Sequence, residues 1–320
     1  MIEFDFKKPV DPEKFRAPIK LAPLNDILIN SDYQDLLTQQ NLKNFDLIWN
    51  LQGGDTFKKI PDRSVTRLDF EHNGNVKTFY LKRHNPERFG NGYRYFVSFV
   101  QDRLSQGIQE LYNIVEFRDH GLATVIPVAA GAKKIGNCSS ISFLITEDFS
   151  PFISLEWIIL NQPDFFNGSQ GRQRKQNLLE TIGGFARKMH NAGLNHKDFN
   201  ATHILLYYGE QNLGKPLIGL FDLQRVGRKN LLSFRWIIKS LAEINYTLPD
   251  KHFSDNDRRQ LFIAYKGTQN SGCWEQFQQW WIKRKVSRIA KHTKNIRNRK
   301  QSEKMKTNRK STHNDTHQKF

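Results

Sequence analysis

Apolar and polar positions alternate with a period of two through residues 63–82 and then take helical spacing in several later stretches. Arg63–Phe70 and Val76–Lys82 predict two strands around Asn73-Gly74, a strong hairpin turn signal. The second strand is expected to end in Phe79-Tyr80-Leu81-Lys82. Ser105–His120 predicts a helix with Ile108, Leu111, Tyr112 and Val115 on one face, Glu110 near its start and Gly121 as its stop. Strands fit Ala123–Ala130 and Ile141–Glu147, so the order runs strand, strand, helix, strand, strand. After Ser150-Pro151 helical spacing dominates. Leu178, Ile182, Phe185 and Met189 mark the buried face of a helix that Gly193 ends. Ile204–Tyr208 and Leu217–Phe221 predict a second hairpin. Helices fit Leu231–Tyr246 and Asp255–Lys266, the latter with Ser254 and Asp257 placed as a capping pair. A last helix is expected from near Ser271. Residues 1–50 predict an irregular extension with one short helix near Asp32–Leu42, and beyond Asn298 the polar, charged composition predicts disorder.

Composition narrows the class. The 320 residues, 38% of them hydrophobic, are enough for two lobes around a cleft. Cys138 and Cys273 make no ladder of pairs, which suits a reducing compartment. The start, Met1-Ile2-Glu3-Phe4-Asp5-Phe6, lacks the basic-then-apolar layout of a signal peptide, and no apolar run reaches the roughly 20 residues of a bilayer span. The expectation is a soluble or peripheral protein. The formal charge of +17 is concentrated: Lys283–Lys310 holds thirteen Lys/Arg against Glu303, or 13 − 1 = +12. Such a tail attracts polyanions: nucleic acid, anionic lipid or phosphorylated glycan.

The chemistry-bearing stretch is His196-Lys197-Asp198-Phe199-Asn200-Ala201-Thr202-His203, followed by Leu220-Phe221-Asp222-Leu223-Gln224. One aspartate lies on a loop before an apolar strand and another ends the next strand, the order in which a kinase sets its proton acceptor and its metal ligand. Asp198 is the candidate base; the competing reading is an aspartate that stabilises its own turn. Asp222 is the candidate Mg²⁺ ligand. His203 is either close to the metal or a packed histidine at a strand start, and His196 fits support of the loop. Lys82 would hold nucleotide phosphates and Glu110 would hold Lys82; taken alone, each reads more simply as a solvated surface charge. Glu147 ends a strand where a two-lobed kinase places the connection whose backbone binds adenine. Gly209-Glu210-Gln211-Asn212-Leu213-Gly214-Lys215 imitates a phosphate-binding loop, but Pro216 stands where a metal-binding Ser/Thr is needed. It reads as a hairpin turn.

These residues together resemble the lipopolysaccharide kinase (Kdo/WaaP) family, over about Gly53 to Lys291. The likeness is carried most specifically by Met189-His190 and Gly193-Leu194-Asn195-His196-Lys197-Asp198-Phe199, with His203-Ile204-Leu205-Leu206 after them. Leu220-Phe221-Asp222-Leu223-Gln224-Arg225, Tyr80-Leu81-Lys82-Arg83-His84, Gln109-Glu110-Leu111, Ser142–Glu147, Leu241–Tyr246 and Phe262–Gly267 also match. The family has a histidine at the position of His203. Lys197, Gln224 and Ser240 stand where Arg, His and Asp are usual, and Gly53-Gly54 is not a full glycine-rich loop. The resemblance implies an α+β, two-lobed protein-kinase-like fold with a small β-rich N-lobe and a larger helical C-lobe. The implied division is an extension over 1–50, N-lobe 51–150, C-lobe 151–282 and a basic, largely disordered tail 283–320. It also implies ATP, Mg²⁺ and a heptose or Kdo hydroxyl of the lipopolysaccharide inner core as acceptor. Asp198 would be the base, Asp222 and His203 the metal side, and Lys82, Glu110 and Glu147 the nucleotide side.

The expected place is the cytoplasmic face of the inner membrane. There the tail, with Trp274, Phe277 and Trp281 on one helical face before it, would meet anionic lipid. Packing of those aromatics on the C-lobe is the plainer reading of them, and both can hold. The departures at Gln224 and the glycine loop leave a pseudokinase as an alternative. The tail alone would suggest a polyanion- or nucleic-acid-binding protein, but no specific nucleic acid is expected, because the body lacks aromatic–basic interleaving.

Overall fold

The computed structural model describes residue 11 and residues 13–72, 74–85, 105–135, 139–209, 214–228, 233–268 and 272–315. Cys138, Asn73, Leu231 and the end of the tail, among the positions discussed above, lie outside the described residues.

Two lobes meet at a cleft. The first opens with a short helix α1 (Glu13–Arg16) and strands β1 (Leu21–Leu24) and β2 (Ile27–Asn30), followed by helices α2 (Gln34–Gln39) and α3 (Phe45–Trp49). Then come β3 (Asp55–Ile60), β4 (Arg63–His72), β5 (Asn75–His84), helix α4 (Gln106–Asp119), β6 (Pro127–Ile135) and β7 (Ser139–Glu147). These strands form one seven-stranded antiparallel sheet in the order β1-β2-β6-β7-β5-β4-β3. The start of the chain is therefore more regular than its composition predicts, because Ile27 and Ile29 turn into the core while β2 pairs with β6. The β4–β5 hairpin is longer at both ends than its apolar pattern predicts: His72 pairs with Asn75, and Lys82 lies inside β5 rather than at its end.

Helix α4 packs on β6 and β7 by a face different from the expected one. Leu111, Ile114 and Phe117 are buried, as are Glu110, Asn113 and Arg118, whereas Tyr112 is exposed. Polar residues occupy the buried stripe because each has a partner there: Glu110 meets Lys82, Asn113 the Leu223 carbonyl and Arg118 the Lys14 and Phe15 carbonyls, so an apolar-only pattern misplaces it. Gly107 brings the helix in. A Cβ there would stand 2.5 Å from the Phe143 carbonyl oxygen, and its N–H donates to Ser142 Oγ at 3.0 Å. The strand expected over Ala123–Ala130 starts later, at Pro127. Residue 124 instead bridges to the second lobe, its hydroxyl donating to the Leu220 carbonyl at 2.7 Å.

The second lobe contains β8 (Ile153–Ser154), α5 (Leu155–Asn161), α6 (Gly168–Asn191), β9 (Leu194–His196), β10 (Ile204–Tyr207), β11 (Leu217–Leu220), β12 (Val226–Arg228), α7 (Ser233–Thr247), α8 (Asp255–Lys266) and α9 (Cys273–Asp315). Leu178, Ile182 and Met189 of α6 are buried, and Gly193 at φ +78° turns the chain out of that helix. Ser254 and Asp257 cap α8 reciprocally. β10 and β11 pair as the expected hairpin, and residues 210–213 of the segment that imitates a phosphate loop lie outside the described residues. Helix α9 continues to Asp315, through a segment whose composition predicts disorder. It contains no Gly or Pro and is rich in Lys, Arg and Gln, which are good helix formers. Its aromatics reach Phe234: Trp274, Phe277 and Trp281 lie 5.2, 6.5 and 6.2 Å from that ring, yet all stay more than a third exposed.

Candidate active site

Residues from both lobes converge at the cleft. Lys82 Nζ donates to both Glu110 oxygens at 2.8 Å and to Asp222 Oδ1 at 3.0 Å. Strand β5, helix α4 and the end of β11 are thereby joined through one ammonium. Burial alone would lower the Lys82 pKa, but the Glu110 and Asp222 carboxylates outweigh it and raise it, so the amine stays charged. Glu110 is 2% exposed, and burial pushes its carboxyl up against the pull of Lys82. Burial would also raise Asp222, but Lys82, then Arg63 and His203, hold it down to about 2.

Asp222 stands in the left-handed region at φ 57°, ψ 55°, a conformation that Asp and Asn tolerate better than most side chains. His196, fully buried, fixes that peptide by donating from Nε2 to the Asp222 carbonyl at 3.0 Å. The same bond sets the His196 tautomer, and burial lowers its pKa, so the ring is neutral. Asn113 of α4 donates to the Leu223 carbonyl at 2.7 Å, so the helix that carries Glu110 also holds the residue after Asp222.

His203 is oriented by its own loop. Its Nδ1–H donates to the Asp198 carbonyl at 2.9 Å, and Nε2 lies 4.0 Å from Asp222 Oδ2. A metal-binding imidazole commonly donates its other ring N–H to a carbonyl or carboxylate, as His203 does. Asp222 and His203 therefore fit a divalent cation held by oxygen and nitrogen. The Asp198 carboxylate receives Arg225 Nη1 at 3.0 Å on both oxygens. Backbone pairing of β9 with β12 brings Arg225 there, and Lys197 N–H donates to the Arg225 carbonyl at 3.1 Å.

Two cavities meet at this cluster. One of about 350 Å³ is lined by Lys82, Glu110 and Asp222, by the apolar Val65, Leu144, Leu205 and Phe221, and by Glu147–Ser150. Its lining combines charged and apolar side chains, as small-ligand sites do. A second, of about 260 Å³, is lined by Ile60, Asp62, Arg63, Gln106, Asp198, Asp222, Gln224 and Arg225, and so joins both aspartates. The Glu147 side chain is committed elsewhere, to Lys14 at 2.6 Å and to the Tyr33 hydroxyl, so what it offers the first cavity is main chain.

Three contributors escaped the sequence reading: Arg63, 3.7 Å from Asp222, Gln106, which pairs with Gln224, and Arg225 on Asp198. Arg63 follows the Pro61-Asp62 turn between β3 and β4. Ser240, in place of the usual Asp, is fully buried and hydrogen-bonds His190 Nε2 at 3.0 Å.

The model of the lipopolysaccharide kinase (Kdo/WaaP) family matches residues 48–265. The chain belongs to this family. It is a lipopolysaccharide kinase, a phosphotransferase with a protein-kinase-like α+β fold. The curated relatives include the lipopolysaccharide core heptose(I) kinase WaaP of Escherichia coli, 30% identical over 228 residues that span 69% of this chain and 80% of the relative. The protein of the same name from Pseudomonas aeruginosa is 24% identical over 222 residues, 69% of this chain and 80% of the relative. Among solved structures, "WaaP in complex with acyl carrier protein" superposes with a TM-score of 0.61 at 21% identity, covering 82% of this chain and 98% of that one. No helix among the described residues is long and apolar enough to cross a membrane.

Proposed function

We propose that this kinase transfers the γ-phosphate of ATP to a heptose hydroxyl of the lipopolysaccharide inner core. The observation that carries the reading is the pair of cavities that meet at Asp222: one joins it to Asp198, the other to the Lys82–Glu110 pair. Relatives named as heptose(I) kinases favour heptose over Kdo.

In this reading adenine lies in the second of these cavities against the Glu147–Ser150 main chain, and Lys82 and Arg63 hold phosphate oxygens. Asp222 and His203 would hold Mg²⁺, which when bound offsets charge on the phosphates. Asp198 accepts the proton of the attacking hydroxyl after Arg225 has placed its carboxylate. Arg225 also bears a charge that can meet the transferring phosphoryl group, so the pairing with Asp198 is a resting arrangement that the acceptor hydroxyl displaces. Work at the cytoplasmic face of the inner membrane follows from a lipid-linked acceptor, with the distal basic part of α9 against anionic lipid. The presence of Lys82, Glu110, Asp198 and Asp222 together speaks against the pseudokinase alternative.

The test is mass spectrometry of lipid-linked core from cells with the intact gene, without it, and with an Asp198→Asn copy. One heptose-linked phosphate that depends on the gene and on Asp198 is expected. An unchanged core, or phosphate on Kdo, would overturn the heptose assignment.

A further inference from the structure

A third concavity lies outside the nucleotide cleft. Helices α7 and α9 enclose about 400 Å³ lined by Arg235, Trp236, Ile238, Lys239, Trp281, Arg284, Lys285 and Arg288. That volume falls in the ~300–1,000 Å³ range of small-ligand sites. Five of the eight lining residues are cations. Among the described residues none of the five has a carboxylate within ion-pairing distance: the ion pairs of this region are Lys283 with Asp255 and Lys266 with Glu275, outside the groove. Converging like charges repel, which costs stability unless an anion is bound there.

The groove is tied to the catalytic loop. Lys239 Nζ donates to the Lys197 carbonyl at 3.1 Å, the residue before Asp198. Glu243, one turn beyond Lys239, feels Lys239 and Lys285 together with Asp198 and Arg225, so the groove and the base share one electrostatic neighbourhood. Trp236 and Trp281 supply aromatic surface beside the cations, the pairing that receives the C–H face of a sugar ring and its charged substituents. Arg235 and Lys239 lie within the residues that the family model matches; Arg284, Lys285 and Arg288 lie beyond them.

We infer that this groove is an acceptor subsite that binds an anionic saccharide of the lipopolysaccharide inner core by its phosphate or carboxylate groups, next to the sugar phosphorylated at Asp198. It rests on the proposed acceptor class. An aromatic-flanked concavity tied to the residue before the base suits a saccharide better than a flat bilayer or an extended nucleic acid.

The test uses the full chain with Arg284→Gln, Lys285→Gln and Arg288→Gln combined, and Lys291→Gln with Lys294→Gln as a control pair farther along α9. The probe is deacylated inner-core oligosaccharide, used intact, after phosphatase treatment and after carboxyl reduction. Calorimetry reads binding without turnover, and initial rates read the acceptor KM. The triple variant is expected to weaken binding of the intact probe and raise its KM tenfold or more, about 1.4 kcal/mol. Nucleotide affinity should hold, and the control pair should bind as wild type. Removal of the responsible anion from the probe should reproduce the loss.

Equal affinity of the triple variant and wild type for the intact probe overturns the subsite. So does a loss confined to anionic phosphatidylglycerol vesicles or duplex DNA. If wild type binds the probe through these residues but leaves heptose unphosphorylated, the proposed reaction fails and the subsite stands.

Discussion

Removal of the Lys82 ammonium should do more harm to the fold than removal of both halves of its ion pair. Glu110 is 2% exposed and both its oxygens lie 2.8 Å from Lys82 Nζ. Lys82→Met would leave that carboxylate buried and unpaired, a defect of about 3–5 kcal/mol. It would also relax Asp222, whose depression from 3.8 to about 2 is equivalent to about 2.5 kcal/mol, only part of which Arg63 and His203 can retain. Glu110→Gln in the wild-type background keeps Lys82 bonded to Asp222 and should cost about 1–2 kcal/mol. In the Lys82→Met background the same Glu110→Gln removes the stranded charge, so it should stabilise.

Urea titration and thermal melting of the four proteins measure this cycle. Lys82→Met should lower Tm by about 10 °C, with several degrees recovered in the double variant. The pH dependence has a definite sign. In Lys82→Met the lone Glu110 has a folded-state pKa above its unfolded value, so its penalty is present at neutral pH and fades as pH falls toward 4.5. The Asp222 stabilisation of the wild type is present above 3.8 and is lost as pH falls toward 2. The gap between the two proteins should therefore narrow on acidification. A Glu110→Gln cost that is equal in both backgrounds, or a gap that widens with acid, would refute the coupling.

Asp222→Asn should keep the fold, because Asn tolerates the left-handed backbone and the residue's carbonyl still accepts from His196. Calorimetry should show the Mg²⁺ enhancement of nucleotide binding lost. Glu147→Gln should leave nucleotide affinity within about twofold, under ~0.5 kcal/mol, since that side chain serves Lys14 and Tyr33; a large loss by fluorescence titration would place the carboxylate in the nucleotide cavity. Burial pushes His84 down to about 3 and also lowers His196, so the folded state excludes protons that the unfolded state takes up below 6.5. Urea stability should be full above that pH and fall with acid by about 1.4 kcal/mol per pH unit for each such histidine. His84→Gln should remove one proton from that slope.

The elements that carry the site were legible where one physical rule dominates. The capping box of α8, the β10–β11 hairpin and the glycine end of α6 depend on local chemistry, and their residues state it. Asp198 and Asp222 were legible because their loop and strand lie close in sequence. Less legible were features set by tertiary contact. The buried stripe of α4 is part polar, so apolar periodicity placed Tyr112 inward and gave no sign that Glu110 is buried. Arg63 acts from 159 positions before Asp222, and only the folded sheet brings it to 3.7 Å. The partners of the Glu147 side chain were not legible, because Lys14 and Tyr33 lie in a segment whose pattern predicted little order.

The central claim is that Asp198 serves transfer of phosphate from ATP to a core heptose. It is tested most directly by incubating the purified chain with γ-labelled ATP, Mg²⁺ and lipid-linked core, then locating the label by fragmentation. Wild type should label one heptose, and Asp198→Asn should fall by about 10²–10⁴-fold while it binds nucleotide as wild type does. Label incorporated at the wild-type rate by Asp198→Asn would contradict the account.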